Sequence, residues 1–193
     1  MLQILAYKAN AYIYGIAKPY SKEMLRLRGG SILKEIVQRM NYKVSCSSSL
    51  SADCHWINSL KYYAYSAHDT TVGPLLYTLG AQDKVLPRGQ YPDYASAVAV
   101  ELWSTESGPS VKVLYRSGPG QDFITITQFV EGCENMDMCS LQQFNQRSEP
   151  FMPKNIAEEC QAKRVNNTKI SCAEMKRGEK SAFGNFIMPH KSH

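Results

Sequence analysis

Apolar positions along this chain change period several times, and each change marks an element. Past Gly29-Gly30, the residues Ile32, Leu33, Ile36, Val37 and Met40 recur at helical spacing on one face. That pattern predicts an amphipathic helix from about Ser31 to Asn41 behind a glycine break. Val72, Leu75, Leu76 and Leu79 follow the i, i+3, i+4, i+7 rule, with Pro74 in or near the first turn and Gly80 at the end. A short core-facing helix is therefore expected after Asp69. Between the two, residues 43–58 are rich in Ser with two Cys and read as a surface insertion loop, while the tyrosine-rich run from Tyr62 to Ala67 reads as a strand. Residues 82–94, with Pro87, Gly89 and Pro92, read as a loop. Ala95 to Trp103 and Val111 to Arg116 suit two strands joined across Ser104 to Ser110, and Phe123 to Val130 suits a further strand. Leu141 with Phe144 marks a small helix, and no internal repeat is visible. Helices and strands interleaved in this way give an α/β fold class.

A chain of 193 residues is long enough to bury one ordinary core. Its net charge of +5 is unevenly placed: residues 161–193 hold seven basic and two acidic residues, whereas residues 1–160 hold fifteen of each. A neutral body carries no electrostatic footprint for nucleic acid, and the basic end reads as a solvated, disordered tail. The expected organisation is a folded portion over 1–160 followed by a tail over 161–193. No apolar stretch reaches the roughly 18 to 20 residues needed to span a bilayer, because Lys8 and several tyrosines interrupt the candidate near the start, so no membrane anchor is expected. The first residues also lack the basic, apolar and small-residue regions of a secretory signal. With Met1 as the start, a cytosolic product is expected.

The cysteines point the other way. Cys46, Cys54, Cys133, Cys139, Cys160 and Cys172 number six, and Cys46/Cys54 and Cys133/Cys139 are short-range pairs flanking polar loops, a pattern that suits an oxidising compartment. A metal site drawing on Cys46, Cys54 and His55 is disfavoured, since a Cys-x-x-Cys knuckle and a second ligand pair are both missing. Asn166-Asn167-Thr168 is a glycosylation triplet at Asn166 within the polar tail.

Ser66-Ala67-His68-Asp69 sets an imidazole and a carboxyl side by side where a strand gives way to a helix. Backbone N–H groups at a helix start favour an anion, and a His there adds a charge-assisted donor. The neighbouring Asp, if held protonated, can hand a proton to a leaving oxygen. Taken alone, the pair is better explained as an N-cap or turn donor. Ser66, His68 and Asp69 carry the letters of a hydrolase triad, but there is no Gly-x-Ser-x-Gly elbow and a spacing of i, i+2 and i+3 gives no ground for assuming that they line up. Arg26 and Arg28 beside the glycine pair read as a solvated helix approach rather than a phosphate clamp. Tyr91 and Tyr94 fit either the mouth of a site or packing over a sheet. His55, His190 and His193 have no partners nearby and read as surface residues.

The surrounding words favour the catalytic alternative. Tyr65-Ser66-Ala67-His68-Asp69-Thr70-Thr71-Val72, then Tyr91-Pro92-Asp93-Tyr94-Ala95-Ser96, then Val98 to Trp103 with Glu101-Leu102 inside it, closely resemble the C-terminal half of the histidine acid phosphatases. This is the branch of the histidine phosphatase superfamily that includes the prostatic and lysosomal enzymes. Tyr14-Gly15-Ile16, Leu27-Arg28-Gly29-Gly30, Gly132-Cys133 and Cys139 extend the resemblance over roughly residues 7 to 160. It implies a partial three-layer sandwich, a mostly parallel sheet flanked by helices, with the N-terminal strands and most of a small helical domain missing. The strand ending at His68 would lie inside that sheet.

The resemblance also implies phosphomonoester hydrolysis through a phosphohistidine, with His68 contacting the phosphoryl oxygens and stabilising the transition state and Asp69 donating the proton, without cofactor or metal. It implies a secreted or lysosomal setting and a Cys133–Cys139 disulfide, and it allows a homodimer. Cys160 matches a family cysteine whose partner lies in the absent half, leaving it free here or paired with Cys172. The family's Arg-His-Gly-x-Arg nucleophile motif is not found, since Arg precedes none of the four histidines. The chain therefore reads as a truncated, alternatively spliced or incompletely predicted member, either part of an active phosphatase or a catalytically silent remnant.

Overall fold

The computed structural model describes residues 5, 8–9, 11–12, 15–17, 19–87, 90–163 and 169–170. Expectations for Tyr14, Gly89, Asn166, Cys172, His190 and His193 fall outside them. The chain forms two compact units, one ending at Pro153 and the other starting at Lys154.

In the first unit, helix α1 (Lys22–Arg28) starts at Ser21, whose hydroxyl accepts the Met24 N–H, and it buries Leu25. Helix α2 (Gly30–Cys46) buries Leu33, Val37 and Met40, the stripe seen in the sequence. It runs past Asn41 because Val44 extends that stripe onto the same core, and it ends where the Cys46–Cys54 disulfide ties it to the turn at Ala52–Cys54. Much of the expected insertion loop is therefore ordered as the end of α2, that turn, and helix α3 (His55–Ser59). Lys43 secures α3 by donating to the carbonyls of Ile57, Asn58 and Leu60 at 2.7, 2.8 and 3.1 Å.

The glycine pair acts through space rather than through conformation. Gly29 sits in the ordinary right-handed region at φ −100°, ψ −26°, so α1 and α2 follow each other almost without interruption. A Cβ on Gly29 would meet the Pro74 carbonyl oxygen at 2.6 Å, and a Cβ on Gly30 would run into the Phe151 carbonyl oxygen. The missing side chains let α2 settle against two other backbones.

Helix α4 (Asp69–Leu79) buries Leu75, Leu76, Thr78 and Leu79 and ends on Gly80 at φ 76°, whose N–H caps the helix. Pro74 lies in its second turn, inside the helix. The short helix α5 (Gln82–Val85) follows.

Strands β1 (Ala97–Thr105) and β2 (Gly108–Arg116) form a hairpin in register from Ala97↔Arg116 to Thr105↔Gly108. Only Glu106 and Ser107 connect them, a tighter turn than the Ser104–Ser110 connection expected. On the far side of β2 lie β3 (Ile124–Thr125) and β4 (Cys139–Ser140). The long strand expected over Phe123–Val130 shrinks to β3 because the chain then turns. The Ile126 N–H reaches the Val113 carbonyl and Thr127 Oγ1 accepts the Val113 N–H at 2.9 Å, so a side chain replaces the ladder. Helix α6 (Leu141–Ser148) begins at Ser140, whose hydroxyl accepts the Gln143 N–H, and buries Leu141 and Phe144. Val111, Val113 and Tyr115 of β2 meet α2, α4 and Phe144 in the main core.

Two expectations about the sheet are corrected. Every strand pairing among the described residues is antiparallel, so the sheet is not mostly parallel. Tyr62 to Ala67 does not form a strand: Lys61 to His68 is exposed, with no ladder on either side. A parallel ladder needs neighbouring strands, and the described residues offer this segment none.

In the second unit, Asn155 caps α7 (Ile156–Glu159) by accepting from Ala157 and Glu158, and β5 (Ala162–Lys163) pairs with β6 (Lys169–Ile170).

Candidate active site

The segment leading to the candidate site is held by side chains alone. Its odd-numbered tyrosines share one face, as extended chain requires. The Arg39 guanidinium of α2 lies 3.6 Å from the centre of the Tyr63 ring and 5.8 Å from that of Tyr65. Glu35, one turn earlier, stands 3.9 Å from Arg39. Burial, opposed by Arg39 and reinforced by Glu35, pushes the Tyr65 phenol above its usual range. Tyr62, on the other face, is 81% exposed.

His68 ends this segment as the N-cap of α4, at φ −87°, ψ 165°. Its carbonyl accepts the Thr71 and Val72 N–H groups, while its side chain makes no capping bond and is free to face a ligand. Asp69 opens the helix with Oδ1 on the Thr70 N–H at 2.7 Å, and both side chains are exposed. An imidazole and a carboxyl thus flank an anion-favouring helix start, one group suited to grip an oxyanion and the other to move a proton.

Two features fix the helix that carries them. Tyr91 and Pro92 pack on Gly73, within van der Waals reach of where its Cβ would be, so the Tyr91–Asp93 loop lies along the first turns of α4. Tyr91 is half-buried, whereas Tyr94 is 90% exposed and open to solvent. At the other end, Arg147 of α6 donates from Nη2 to the Thr78 carbonyl at 2.6 Å and from Nε to the Glu131 carbonyl at 2.8 Å. Burial lowers its pKa to about 10, opposed by Glu131 and Glu134, so it stays charged at neutral pH. Nothing in the spacing of the sequence marks Arg147, because its partners lie far away along the chain. Arg147→Met should cost about 2 kcal/mol by removing both bonds and leaving the part-buried Thr78 carbonyl without its partner, seen as a lower urea midpoint, and Arg147→Lys should not recover it because a single ammonium lacks the fork.

Other candidates are placed as follows. Arg26 is engaged by Glu23 through two contacts of 2.9 and 3.0 Å, and both Arg26 and Arg28 are half-buried rather than fully solvated. Cys46–Cys54 and Cys133–Cys139 are disulfides, and Cys160 is also disulfide-bonded. With Cys46 and Cys54 joined, the set with His55 cannot ligate a metal, and the described residues contain no other group of three suitable ligands. His55 is exposed. No described helix is long and apolar enough to cross a membrane.

Residues 5–116, which include the whole His68-Asp69 junction and the β1–β2 hairpin, match the Histidine phosphatase superfamily (branch 2), and the chain belongs to that family. Among its curated relatives, "Putative acid phosphatase F26C11.1" of Caenorhabditis elegans is 33% identical over 134 residues, 68% of this chain and 31% of that protein. Prostatic acid phosphatase of Rattus norvegicus is 31% identical over 148 residues, 77% of this chain and 33% of the relative. Lysosomal acid phosphatase of Xenopus laevis is 29% identical over 151 residues, 78% of this chain and 30% of the relative. The chain thus spans about a third of the length of these relatives.

Proposed function

We propose that this chain supplies the phosphate-contact and proton-donor side of an acid phosphatase-like site for phosphomonoesters. The observation that carries the reading is the pair His68-Asp69 at the exposed start of α4, inside the stretch that matches the family. His68 as an imidazolium would bind the phosphoryl oxygens and stabilise charge developing on them, and Asp69 would protonate the departing alkoxide. Both protonated forms grow as pH falls, so an acid optimum is expected. The nucleophile would be the His of an Arg-His-Gly-x-Arg segment, and this sequence holds no Arg-His pair. Disulfides, together with relatives named lysosomal and prostatic, support a secreted or lysosomal protein.

The missing Arg-His pair favours a second reading for the polypeptide by itself, a catalytically silent family member. The 193-residue chain should hydrolyse p-nitrophenyl phosphate at acid pH no faster than its His68→Ala variant. A turnover of about 1 s⁻¹, modest for an enzyme, that disappeared in the variant would mean another residue here serves as nucleophile.

A further inference from the structure

Leu50 is the most exposed large apolar side chain among the described residues, at 96%. It stands in the middle of Ser47-Ser48-Ser49-Leu50-Ser51-Ala52-Asp53, a stretch closed at its ends by the Cys46–Cys54 disulfide. Neither its N–H nor its carbonyl bonds to a described group, and its neighbours are small or polar. Ser51, the next residue, is extended at φ −59°, ψ 139°. The stretch therefore presents one apolar side chain on open backbone, the form in which an endopeptidase takes its substrate. Both sides are anchored without it. Helix α2 is held by Leu33, Val37 and Met40 in the core, and α3 by buried Ile57 and by the three carbonyls that Lys43 binds.

We infer that the Leu50–Ser51 bond is a processing site, cut by an endopeptidase with an apolar specificity pocket, and that Cys46–Cys54 keeps the two products joined. Water adds across the peptide bond, leaving a carboxylate on Leu50 and an ammonium on Ser51, while the disulfide takes no part and stays oxidised. Disulfides belong to compartments outside the reducing cytosol, where folded proteins meet endopeptidases. Two other apolar side chains come near Leu50 in exposure, and local geometry sets both aside. Tyr94 is 90% exposed, but Asp93 Oδ1 holds its N–H at 2.8 Å, and the next residue, Ala95, lies in the left-handed region at φ 55°, which bends the chain out of an extended cleft. Tyr62 is 81% exposed, but Tyr63 immediately after it has its ring 3.6 Å from the Arg39 guanidinium, so the side chain just past that bond is held. Leu50 has neither restraint.

Limited digestion of the whole chain with cathepsin D, an aspartic endopeptidase that favours apolar residues, tests this. The first cut within the first unit should leave a product that stays in one piece without reductant and separates in two after reduction, with masses that place the new ends at Leu50 and Ser51. The thermal midpoint of that product should stay within about 2 °C of the uncut chain's, since both sides keep their anchors. Leu50→Asp should slow the cut about tenfold or more, because a carboxylate is poorly taken into an apolar pocket. The same change should leave the midpoint of the uncut chain where it was, because so exposed a side chain carries no packing. A first cut elsewhere in the first unit, after Tyr62 or Tyr94 included, overturns the proposal. So does a first unit that resists digestion, a cut indifferent to Leu50→Asp, or products that separate without reductant.

Discussion

Asp69→Asn should lower turnover of an alkyl phosphate by about 10² or more while leaving phosphate affinity nearly unchanged, in a protein that joins this chain to a relative's Arg-His-Gly-x-Arg segment. An alkoxide is a poor leaving group and needs its proton in the transition state, which an amide cannot give. p-Nitrophenolate leaves well without one, so its turnover should fall much less. Asp69 is placed for the role by being the first residue of α4, with one carboxylate oxygen held on the Thr70 N–H and the side chain otherwise open. Steady-state rates for the two substrates check this directly, and an equal fall in both would take Asp69 out of the proton-transfer step.

Gly30→Ala should be among the most destabilising single changes in the first unit. The added methyl would collide with the Phe151 carbonyl, a backbone atom that cannot swing aside as a side-chain end can. Overpacking of this kind costs about 3 kcal/mol, and roughly 6–12 °C in the thermal midpoint for a chain of this size. Gly118→Ala is the matched control. Its Cβ would touch only the Tyr94 carbonyl, at an ordinary 3.5 Å, and the midpoint should stay within about 2 °C. If the two glycines behave alike, the close approach of α2 to Phe151 is not what Gly30 is there for.

What the sequence discloses and what it hides divide along the range of the interactions. The stripes of α2 and α4 are local, so Leu33, Val37 and Met40, and Leu75, Leu76 and Leu79, can be read as core before any fold is known, and they are buried. The β1–β2 hairpin was legible for the same reason, although its turn was read too long because Ser104, Thr105 and Ser110 look like loop residues yet belong to the ladder. Sheet direction was not legible in the residues. Tyr62 to Ala67 has the composition of a strand, but composition does not supply a neighbour, and the parallel arrangement was an expectation borrowed from family likeness. The glycine pair was read as a break because glycine usually acts through its freedom, whereas here the space is needed by Pro74 and Phe151, which lie well along the chain. Arg147, Lys43 and Arg39 act through carbonyls and rings that no periodicity points to.

The His68-Asp69 junction itself was legible as a short word at a helix start, and the structure adds why both side chains are available. His68 spends only its backbone on the cap, and Asp69 spends one oxygen. The segment that delivers them is anchored to α2 by the Arg39 guanidinium over the Tyr63 ring.

The most direct test of the phosphate-handling account is inhibition by inorganic phosphate in the joined protein, compared between His68→Ala and Asp69→Asn. On the proposed roles, His68→Ala should weaken phosphate binding along with turnover, because it would remove a donor to the phosphoryl oxygens, whereas Asp69→Asn should leave the inhibition constant nearly where it was. An inhibition constant unchanged by His68→Ala would contradict the account.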